Sequence, residues 1–297
     1  GLKDILQFNH EYEILKGLNI SGVIQLEAKV KYANGIALVI KEFDASPLTD
    51  FRKKKKLEGV EALQIVLSLV ETVGELHKHN IIHKDIQPEN IFVGPEKKET
   101  WIVDCSVSTF LPKEMPSIRN VGSIDGNRAY ISPEQTGRMN RPVDYRTDFY
   151  ALGTTLYEML TGNLPFNLED PLELVHSHLA KQPLPPHQID SKISNMVSEI
   201  VLKLMSKTAE ERYQSTWGLR SDLEKCIRQL SGTGFVERFP LGENDRAEKF
   251  QISQKLYGRE NEREFLLRWF SEASQGSVEM LTVSGYSGIG KTSLIRE

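Results

Sequence analysis

Apolar residues in the first part of the chain recur first at helical and then at strand spacing. The helical stripe predicts a helix over residues 5–18. Its members are Ile5, Phe8, Tyr12 and Leu15. Two apolar, β-branched runs follow, VIQLEAKVKY and GIALVIKEF, and the ANG between them favours a tight turn at Asn34 and Gly35. The pattern therefore predicts one helix followed by a β-hairpin.

Later stripes predict a region built mostly from helices. Residues 60–73 carry an apolar stripe, and TDFYALGTTLYEMLTG fits a buried helix that ends at Gly162. Another apolar stripe runs over residues 193–204. Periodicity is lost over residues 231–250, where glycine and charge increase, so we expect a linker there. A further helix is expected from about Asn261.

Composition narrows the classes of protein that fit this chain. Its 297 residues allow about two domains, and 39% apolar with 26% charged residues is ordinary for a globular protein with a core. A net charge of −4 argues against nucleic-acid binding as the main task. No apolar run approaches the ~20 residues needed to insert into a membrane. Two cysteines exclude a disulfide scaffold and favour a reducing compartment, so we expect a cytoplasmic protein.

Two further features of the sequence bear on its surface and its extent. The basic run FRKKKK at residues 51–56 is either a solvated face, which is the more common case, or a binding patch. The chain starts at Gly1 without a methionine and stops inside a motif, so we expect a fragment of a longer polypeptide.

The stretch NIIHKDIQPENIFVG places polar residues in a loop between two apolar segments. Residues 91–93 predict a short buried strand after the loop. Asp85 and Asn90 stand five apart, as in the H-R-D-x-x-x-x-N loop of protein kinases. In that loop the Asp receives the proton of the substrate hydroxyl, and the Asn binds a metal ion. A capped turn, in which both side chains satisfy local backbone donors, is the alternative.

Further motifs follow in the order expected of a kinase catalytic lobe. Asp104 follows the apolar run WIV at the position of D-F-G, where it would bind a metal ion. Glu134 in AYISPEQ would pair with Arg212 in AEERYQS. Asp148 in DFYALG would brace the catalytic loop from below, and Glu11 fits the helix glutamate that orients the ATP-binding lysine. An ordered set of this kind is hard to produce by chance.

The sequence closely resembles the kinase domain of large multidomain sensor histidine kinases. The resemblance is carried by AYISPEQTGRMNRPVDYRTDFYALGTTLYEMLTGNLPF, LELVHSHLAKQPLPP and LMSKTAEERYQS. In that family a Ser/Thr-kinase-like domain precedes an AAA-type ATPase, a GAF sensor and a histidine kinase module. The resemblance implies transfer of the ATP γ-phosphate, with Mg²⁺, to hydroxyl groups of a protein substrate. It also implies that other domains of the same polypeptide are partners.

The same resemblance implies a fold class and domain limits. We expect an α+β, protein-kinase-like fold over residues 1–230, with a mostly helical C-lobe and a truncated N-lobe sheet. A linker over residues 231–250 and the first part of a P-loop α/β NTPase domain over residues 251–297 would follow. The Gly-rich loop and the strand lysine that contact ATP would lie upstream, whereas Lys29 and Lys31 are expected on a strand surface.

Several positions depart from the kinase pattern. Residues 104–106 spell Asp-Cys-Ser in place of D-F-G. Gln87 stands where Ser/Thr kinases carry a lysine that steadies the transferring phosphate, and loss of that charge removes electrostatic stabilisation. Asn127 replaces the usual Thr of the activation segment. Lys84 replaces an Arg, so a bidentate grip on a phosphate is disfavoured.

A second motif lies near the C-terminus, in VEMLTVSGYSGIGKTSLIRE. Residues 278–283 predict a strand, and residues 285–292 spell G-x-x-x-x-G-K-T before a helix. Backbone N–H groups of such a loop cradle phosphates, its lysine reaches the outer phosphates and its threonine binds Mg²⁺. The residues concerned are Gly285, Gly288, Gly290, Lys291 and Thr292. A Gly-rich turn followed by Lys-Thr by chance is the alternative.

Two functions remain open from the sequence. The leading one is a serine/threonine protein kinase joined to an AAA-type ATPase in a two-component signalling protein. Asp85, Asn90 and Asp104 favour it. The alternative is a pseudokinase that keeps the fold and regulates the adjacent ATPase and histidine kinase modules, which Gln87 and residues 105–106 favour.

Overall fold

The chain divides into two units, Gly1–Glu248 and Lys249–Glu297. The computed structural model describes residues 2–32, 35–50, 57–96, 98–110, 113–114, 126–139, 141–247, 258–274, 276, 278, 280–286, 289 and 291–296. The basic run at residues 51–56 lies outside the described residues.

The first unit begins with one helix and a hairpin, as predicted. Helix α1 is Leu2–Leu15, and strands β1 (Leu26–Tyr32) and β2 (Gly35–Ile40) pair antiparallel. The helix ends at Leu15 rather than at residue 18, because Gly17 takes a φ of +77° and leaves the helical region. Asn34, at the predicted turn, lies outside the described residues.

A three-stranded antiparallel sheet flanks the predicted catalytic loop. Its strands are β3 (Ser46–Pro47), β4 (Ile91–Val93) and β5 (Thr100–Ile102), and β4 is central. Strand β4 confirms the strand predicted over residues 91–93. Strands β6 (Lys113–Glu114) and β7 (Val143–Asp144) form a separate antiparallel pair.

Helices form the larger part of the first unit. The stripe at residues 60–73 lies in α2 (Gly59–Lys78), and the predicted buried helix is α3 (Arg146–Thr161). The other helices are α4 (Pro171–Ala180), α5 (Pro186–Ile189), α6 (Asn195–Leu204) and α7 (Thr216–Thr233). No helix among the described residues combines the length and the apolar character needed to cross a membrane.

Helix α3 lies at the centre of the core, and every one of its residues is buried. A Cβ at Gly153 would lie 2.7 Å from the Leu204 Cβ, so the glycine allows α3 and α6 to approach closely. Helix α3 ends, as predicted, at Gly162, whose φ of +76° suits glycine. Burial of each large apolar side chain in such a core contributes roughly 1.5–3 kcal/mol.

The segment expected to be a linker begins inside a helix. Helix α7 continues to Thr233, and residues 234–247 then lie against the first unit. Val236 and Phe239 bury their side chains in the hydrophobic core. Loss of periodicity therefore marks the end of α7, and the chain stays attached up to Asp245, which binds residues 214 and 215. The limits 1–230, 231–250 and 251–297 stay a prediction.

The second unit contributes two described helices, α8 (Glu260–Ser274) and α9 (Lys291–Arg296), where helices were predicted. The strand predicted over residues 278–283 is wrong for the residues that the structure describes there. Val278 is fully exposed and Met280 is 89% exposed. The described residues of this unit supply no strand with which they could pair, and an unpaired strand leaves its backbone groups without partners.

Candidate active site

The predicted catalytic loop leaves the end of α2 and is held by Asp148 in the first turn of α3. Asp148 Oδ2 accepts a hydrogen bond from the backbone N–H of His83 at 3.0 Å, and Oδ1 accepts one from that of Lys84 at 2.8 Å. His77 Nε2, in the last turn of α2, lies 2.8 Å from Oδ2. Burial alone would raise the pKa of Asp148, but the hydrogen bond and charge of His77 outweigh burial and lower the pKa. The contacts expected of a brace beneath the loop are present.

Asp85 is 8% exposed, and its carboxylate accepts hydrogen bonds from neutral donors. Oδ2 accepts from Gln87 Nε2 and from Asn90 Nδ2, each at 2.9 Å. Oδ1 accepts from the backbone N–H of Asn127 at 3.1 Å. These donors are two side chains and a backbone group 42 residues away, rather than the local backbone donors of a capped turn. Asp85 and Asn90 are in direct contact, as their spacing predicts.

Gln87 and Asn127 link the loop to the segment that passes over it. Asn127 Nδ2 donates to Gln87 Oε1 at 2.8 Å, while Gln87 itself donates to Asp85. The preceding residue, Gly126, has a φ of +86°, and a Cβ there would lie 2.8 Å from Asp85 Oδ1. The position therefore requires glycine for two reasons, its backbone conformation and its closeness to Asp85. The two departures at residues 87 and 127 together form an uncharged bridge.

Strand pairing brings Asp104 beside Asn90. Asn90 directly precedes β4, Asp104 follows β5, and the backbone N–H of Val103 donates to the Asn90 carbonyl at 2.9 Å. Asp104 has a φ of +61°, and Lys84 one of +69°. Such left-handed conformations cost a non-glycine residue energy and concentrate at functional sites. Asp104 Oδ1 accepts from the backbone N–H of Ser106 at 3.0 Å.

Helix α1 places Glu11 against the same segment. Glu11 Oε1 accepts a hydrogen bond from the backbone N–H of Cys105 at 3.2 Å. Burial and, next, the charge of Asp104 raise the pKa of Glu11. Lys29 and Lys31 are exposed on β1, as predicted. Glu11 is thus close to the metal-binding position expected at Asp104, while its expected lysine stays a prediction.

Asn90 and Asp104 offer amide and carboxylate oxygens, which are hard donors of the kind that Mg²⁺ binds. Among the described residues, no group of three or more His, Cys, Asp or Glu side chains is placed to bind a metal. An ion here would therefore take its other ligands from phosphate oxygens and water, as Mg²⁺ commonly does. The residues fit an ion that arrives with a nucleotide.

The ion pair predicted between Glu134 and Arg212 is present and bidentate. Arg212 Nη1 lies 2.7 Å from Glu134 Oε1, and Nη2 lies 2.8 Å from Oε2. Thr147 Oγ1 also donates to Glu134 Oε1, at 2.7 Å. Burial alone would raise the pKa of Glu134, but the charge and hydrogen bonds of Arg212 outweigh it and lower the pKa. This pair joins two segments that are 78 residues apart in sequence.

The phosphate-loop motif of the second unit is described only in part. Lys291 Nζ donates to the carbonyl oxygens of Gly285 and Tyr286, at 2.7 and 2.8 Å. Gly288, Gly290 and the side chain of Thr292 lie outside the described residues. The lysine is thus folded onto the backbone of its own loop.

Sequence reasoning missed three contributors to the first site. His77 contacts Asp148, Gln135 Nε2 donates to the Lys84 carbonyl at 2.8 Å, and the Tyr130 hydroxyl donates to Glu158. His77 continues the buried stripe of α2, and a polar residue within such a stripe is a signal that could have identified it. No comparable pattern marks Gln135 or Tyr130.

The fold and the site together define a protein-kinase-like catalytic lobe with an α+β fold. The protein kinase domain family matches residues 3–223, more than half of the chain, and the chain belongs to that family. The AAA ATPase domain family matches residues 255–297.

The curated relatives of this chain include a hybrid histidine kinase and serine/threonine-protein kinases. Hybrid signal transduction histidine kinase G of Dictyostelium discoideum is 40% identical over 188 residues, which are 57% of this chain and 6% of that protein. A "probable serine/threonine-protein kinase" of Clostridium perfringens is 30% identical over 77% of the chain and 33% of its own length. Serine/threonine-protein kinase PknB of Mycobacterium leprae is 29% identical over 76% of this chain and 36% of its own length. The chain thus spans little more than a third, at most, of these relatives.

Proposed function

We propose that the first unit is a serine/threonine protein kinase domain within a multidomain sensor protein of the two-component type. It would transfer the γ-phosphate of ATP to hydroxyl groups of a protein substrate. The observation that carries this proposal is the Asp85 carboxylate, which is nearly buried, is held by neutral donors and lies beside Asn90. The relatives named as serine/threonine kinases support a protein hydroxyl group as the phosphate acceptor. The relative named as a hybrid histidine kinase supports a place within a multidomain sensor protein.

Asp85 would act as the base of the reaction. As the oxygen of the substrate hydroxyl bonds to the γ-phosphorus, its proton passes to the Asp85 carboxylate. The bond from that phosphorus to the bridging oxygen breaks, and ADP leaves with its electron pair. Gln87, Asn90 and the Asn127 backbone hold the carboxylate in one orientation before the substrate arrives.

The nucleotide would lie on the side of Asp85 where Asn90 and Asp104 meet. These two side chains would bind Mg²⁺, which, when bound, neutralises charge on the phosphate oxygens. Glu11 would orient a lysine toward the phosphates. The raised pKa of Glu11 indicates a carboxylate in a partly dry position that a cation would stabilise.

For the second unit we propose the first part of an ATP-binding AAA-type module. Gly285, Gly288, Gly290, Lys291 and Thr292 would form its phosphate loop. Bound phosphate oxygens would replace the two backbone carbonyls that now accept from Lys291. The match of the AAA ATPase domain family to residues 255–297 supports this assignment.

The partners that we propose are a protein substrate, ATP and other domains of the same polypeptide, with no role in nucleic-acid binding. A cytoplasmic setting would suit two free, buried cysteines, Cys105 and Cys226.

A pseudokinase scaffold is the second candidate, and one observation favours it. Gln87 and Asn127 form an uncharged bridge where a kinase carries a lysine to steady the phosphate. A domain of this kind would regulate the adjacent ATPase and histidine kinase modules without transferring phosphate itself.

Phosphate transfer from radiolabelled ATP separates the two candidates. In the full polypeptide that contains this chain, Asp85→Asn keeps the shape of the side chain but removes the base, so transfer should fall by orders of magnitude. Glu243→Gln, at an exposed position, is the matched control and should change nothing. Absence of transfer by the unaltered protein would favour the pseudokinase. Equal transfer by the Asp85→Asn variant would contradict the role of Asp85.

A further inference from the structure

A short segment after α7 is attached to the first unit by apolar and polar contacts. We name residues 236–245 the strap. Val236 and Phe239 are 4% and 8% exposed, so the strap contributes to the hydrophobic core. The backbone N–H of Gly242 donates to Asp222 Oδ2, in α7, at 2.8 Å. The strap is therefore part of the folded unit.

The strap ends at Asp245, whose carboxylate binds the start of α7. Oδ2 accepts from the backbone N–H of Gln214 at 2.7 Å, and Oδ1 accepts from the Ser215 hydroxyl at 2.7 Å. Ser215 is the N-cap residue of α7. A Cβ at Gly218 would lie 2.5 Å from the Asp245 Cβ, so this close approach needs the glycine. Hydrogen bonds to an ionised carboxylate are roughly twice as strong as neutral ones.

The residues held by the strap directly follow Arg212. Gln214, whose N–H binds Asp245, donates through Nε2 to the Arg212 carbonyl at 2.8 Å. The Tyr213 hydroxyl donates at 2.7 Å to Asp222 Oδ2, the same oxygen that accepts from the strap backbone. Gln214 is thus bound by the strap itself, and Tyr213 is bound by Asp222, which also binds the strap. These contacts restrict the backbone that carries the guanidinium.

Arg212 in turn anchors the segment that borders Asp85. Its guanidinium binds both oxygens of Glu134, at 2.7 and 2.8 Å. The next residue, Gln135, donates to the carbonyl of Lys84, which immediately precedes Asp85. Contacts between described residues therefore run without a break from the strap to the catalytic loop.

We propose that Asp245 is a positioning residue for the segment 126–136. By holding the start of α7, it keeps Arg212 in place. Arg212 then fixes Glu134 and, with it, the segment that borders Asp85. That this segment receives a protein substrate rests on the proposed kinase function, whereas its dependence on Asp245 does not.

Hydrogen exchange measured by mass spectrometry on the whole 297-residue chain tests the proposal without any need for activity. Asp245→Ala is compared with Glu243→Ala, which removes a carboxylate at an exposed neighbouring position. Exchange in peptides that cover residues 130–136 should become several-fold faster in Asp245→Ala. It should stay unchanged in α2 of that variant and everywhere in Glu243→Ala.

Two results of this experiment would overturn the proposal. Faster exchange confined to the start of α7 would show that Asp245 acts only as a local helix cap. Faster exchange across the whole first unit, including α2, would show general loss of stability. If Asp245→Ala does not fold, Asp245→Asn takes its place, because its amide oxygen keeps one of the two bonds, and the same peptides decide the outcome.

Kinetics provide a second readout. In a polypeptide that transfers phosphate, Asp245→Ala should raise KM for the protein substrate and lower kcat several-fold, because Asn127 in the segment 126–136 also holds Asp85, and should leave KM for ATP close to the parent value. An equal change in all three constants would contradict a positioning role. If the parent polypeptide transfers no phosphate, the proposed kinase function fails, and the exchange pattern alone decides the role of Asp245.

Discussion

Two buried carboxylates, those of Glu134 and Asp85, are held in opposite ways. Glu134 is 3% exposed and faces the guanidinium of Arg212 in a bidentate pair. Asp85 is 8% exposed and accepts from two carboxamides and a backbone N–H. A cation beside a carboxylate pairs its charge, whereas neutral donors fix its orientation and leave the charge without a cation. The first arrangement suits an anchor, and the second suits a carboxylate held ready for a substrate.

The comparison also shows where this lobe departs from a kinase. The anchor at Glu134 keeps the charge pair that the sequence predicts. At Asp85 the position expected to carry a cation is occupied by Gln87, so the site has lost the charge that would steady a phosphate. The charge pair of the anchor and the donors to Asp85 are thus different residues, so each set can be mutated without altering the other.

The largest expected effect is on the anchor. Arg212→Ala leaves the Glu134 carboxylate buried without its cation, and breaking a buried pair in this way costs roughly 3–5 kcal/mol. The free energy of unfolding, measured by urea denaturation, should fall by about that amount. Arg220→Ala is the control, because Arg220 pairs with Glu71 and Glu224 at the surface and such pairs contribute about 0–1 kcal/mol. Equal losses in the two variants would contradict the assignment of Glu134 and Arg212 as the anchor.

Acid should weaken the same anchor. The pKa of Glu134 is lowered in the folded state from its ordinary value of 4.5, so at acidic pH the unfolded chain binds more protons. The stabilisation is therefore fully present above pH 4.5 and is lost as the pH falls through the folded pKa below that value. Unfolding free energy should therefore decline as the pH is lowered below about 4.5.

Glu134→Gln separates this anchor from other acid-sensitive groups. The variant should be less stable than the parent at neutral pH, and its decline with acid should be shallower. Some decline should remain, since the pKa of Asp148 is also lowered. Parallel curves for the parent and Glu134→Gln would show that Glu134 does not contribute to the acid response.

The order and spacing of the motifs predicted two side-chain contacts that the structure contains. Asp85 with Asn90, and Glu134 with Arg212, are in contact as their spacing and order suggested. The apolar stripes of α2 and α3 also appear as helices. The helices depend on short-range patterns that a sequence displays directly, and the two contacts were predicted from the order of motifs typical of protein kinases.

Contacts between distant polar side chains that belong to no known motif could not be predicted in the same way. In the sequence, Gln87 and Asn127 were recognisable only as two departures from the kinase pattern. No rule for single positions shows that two carboxamides 40 residues apart will form a hydrogen bond. The strap has no helical or strand periodicity, because two separate apolar side chains, one backbone N–H and one carboxylate attach it to the first unit. The predicted strand over residues 278–283 failed because a strand depends on a partner, which its own sequence does not supply.

A smaller effect is expected at the glycine that touches Asp85. Gly126→Ala adds a Cβ 2.8 Å from Asp85 Oδ1 and forces a side chain into the left-handed region, which costs about 1–2 kcal/mol. Gly17→Ala is a matched control, because Gly17 has a similar φ of +77° and an added Cβ meets nothing within 4 Å. Gly126→Ala should lose at least as much stability by urea denaturation as Gly17→Ala, because only the first also meets a neighbouring side chain. Only Gly126→Ala should also lower phosphate transfer, and an equal effect on transfer in both would show that the contact with Asp85 is unimportant.

The smallest change, Gln87→Lys, tests whether charge is what the site lacks. A lysine could still reach Asp85 Oδ2, which Gln87 Nε2 contacts at 2.9 Å. It would add a cation where the transferring phosphate would lie in the proposed reaction. We expect phosphate transfer to rise about tenfold, which corresponds to about 1.4 kcal/mol of barrier. Gln188→Lys adds the same charge at an exposed position and should leave transfer unchanged. A decrease in Gln87→Lys would indicate instead that the bridge to Asn127 orients Asp85. A lysine cannot accept the hydrogen bond that Asn127 Nδ2 donates to Gln87 Oε1. The uncharged bridge would then be the working form of this site, and the contrast between Asp85 and Glu134 would mark a feature on which catalysis depends.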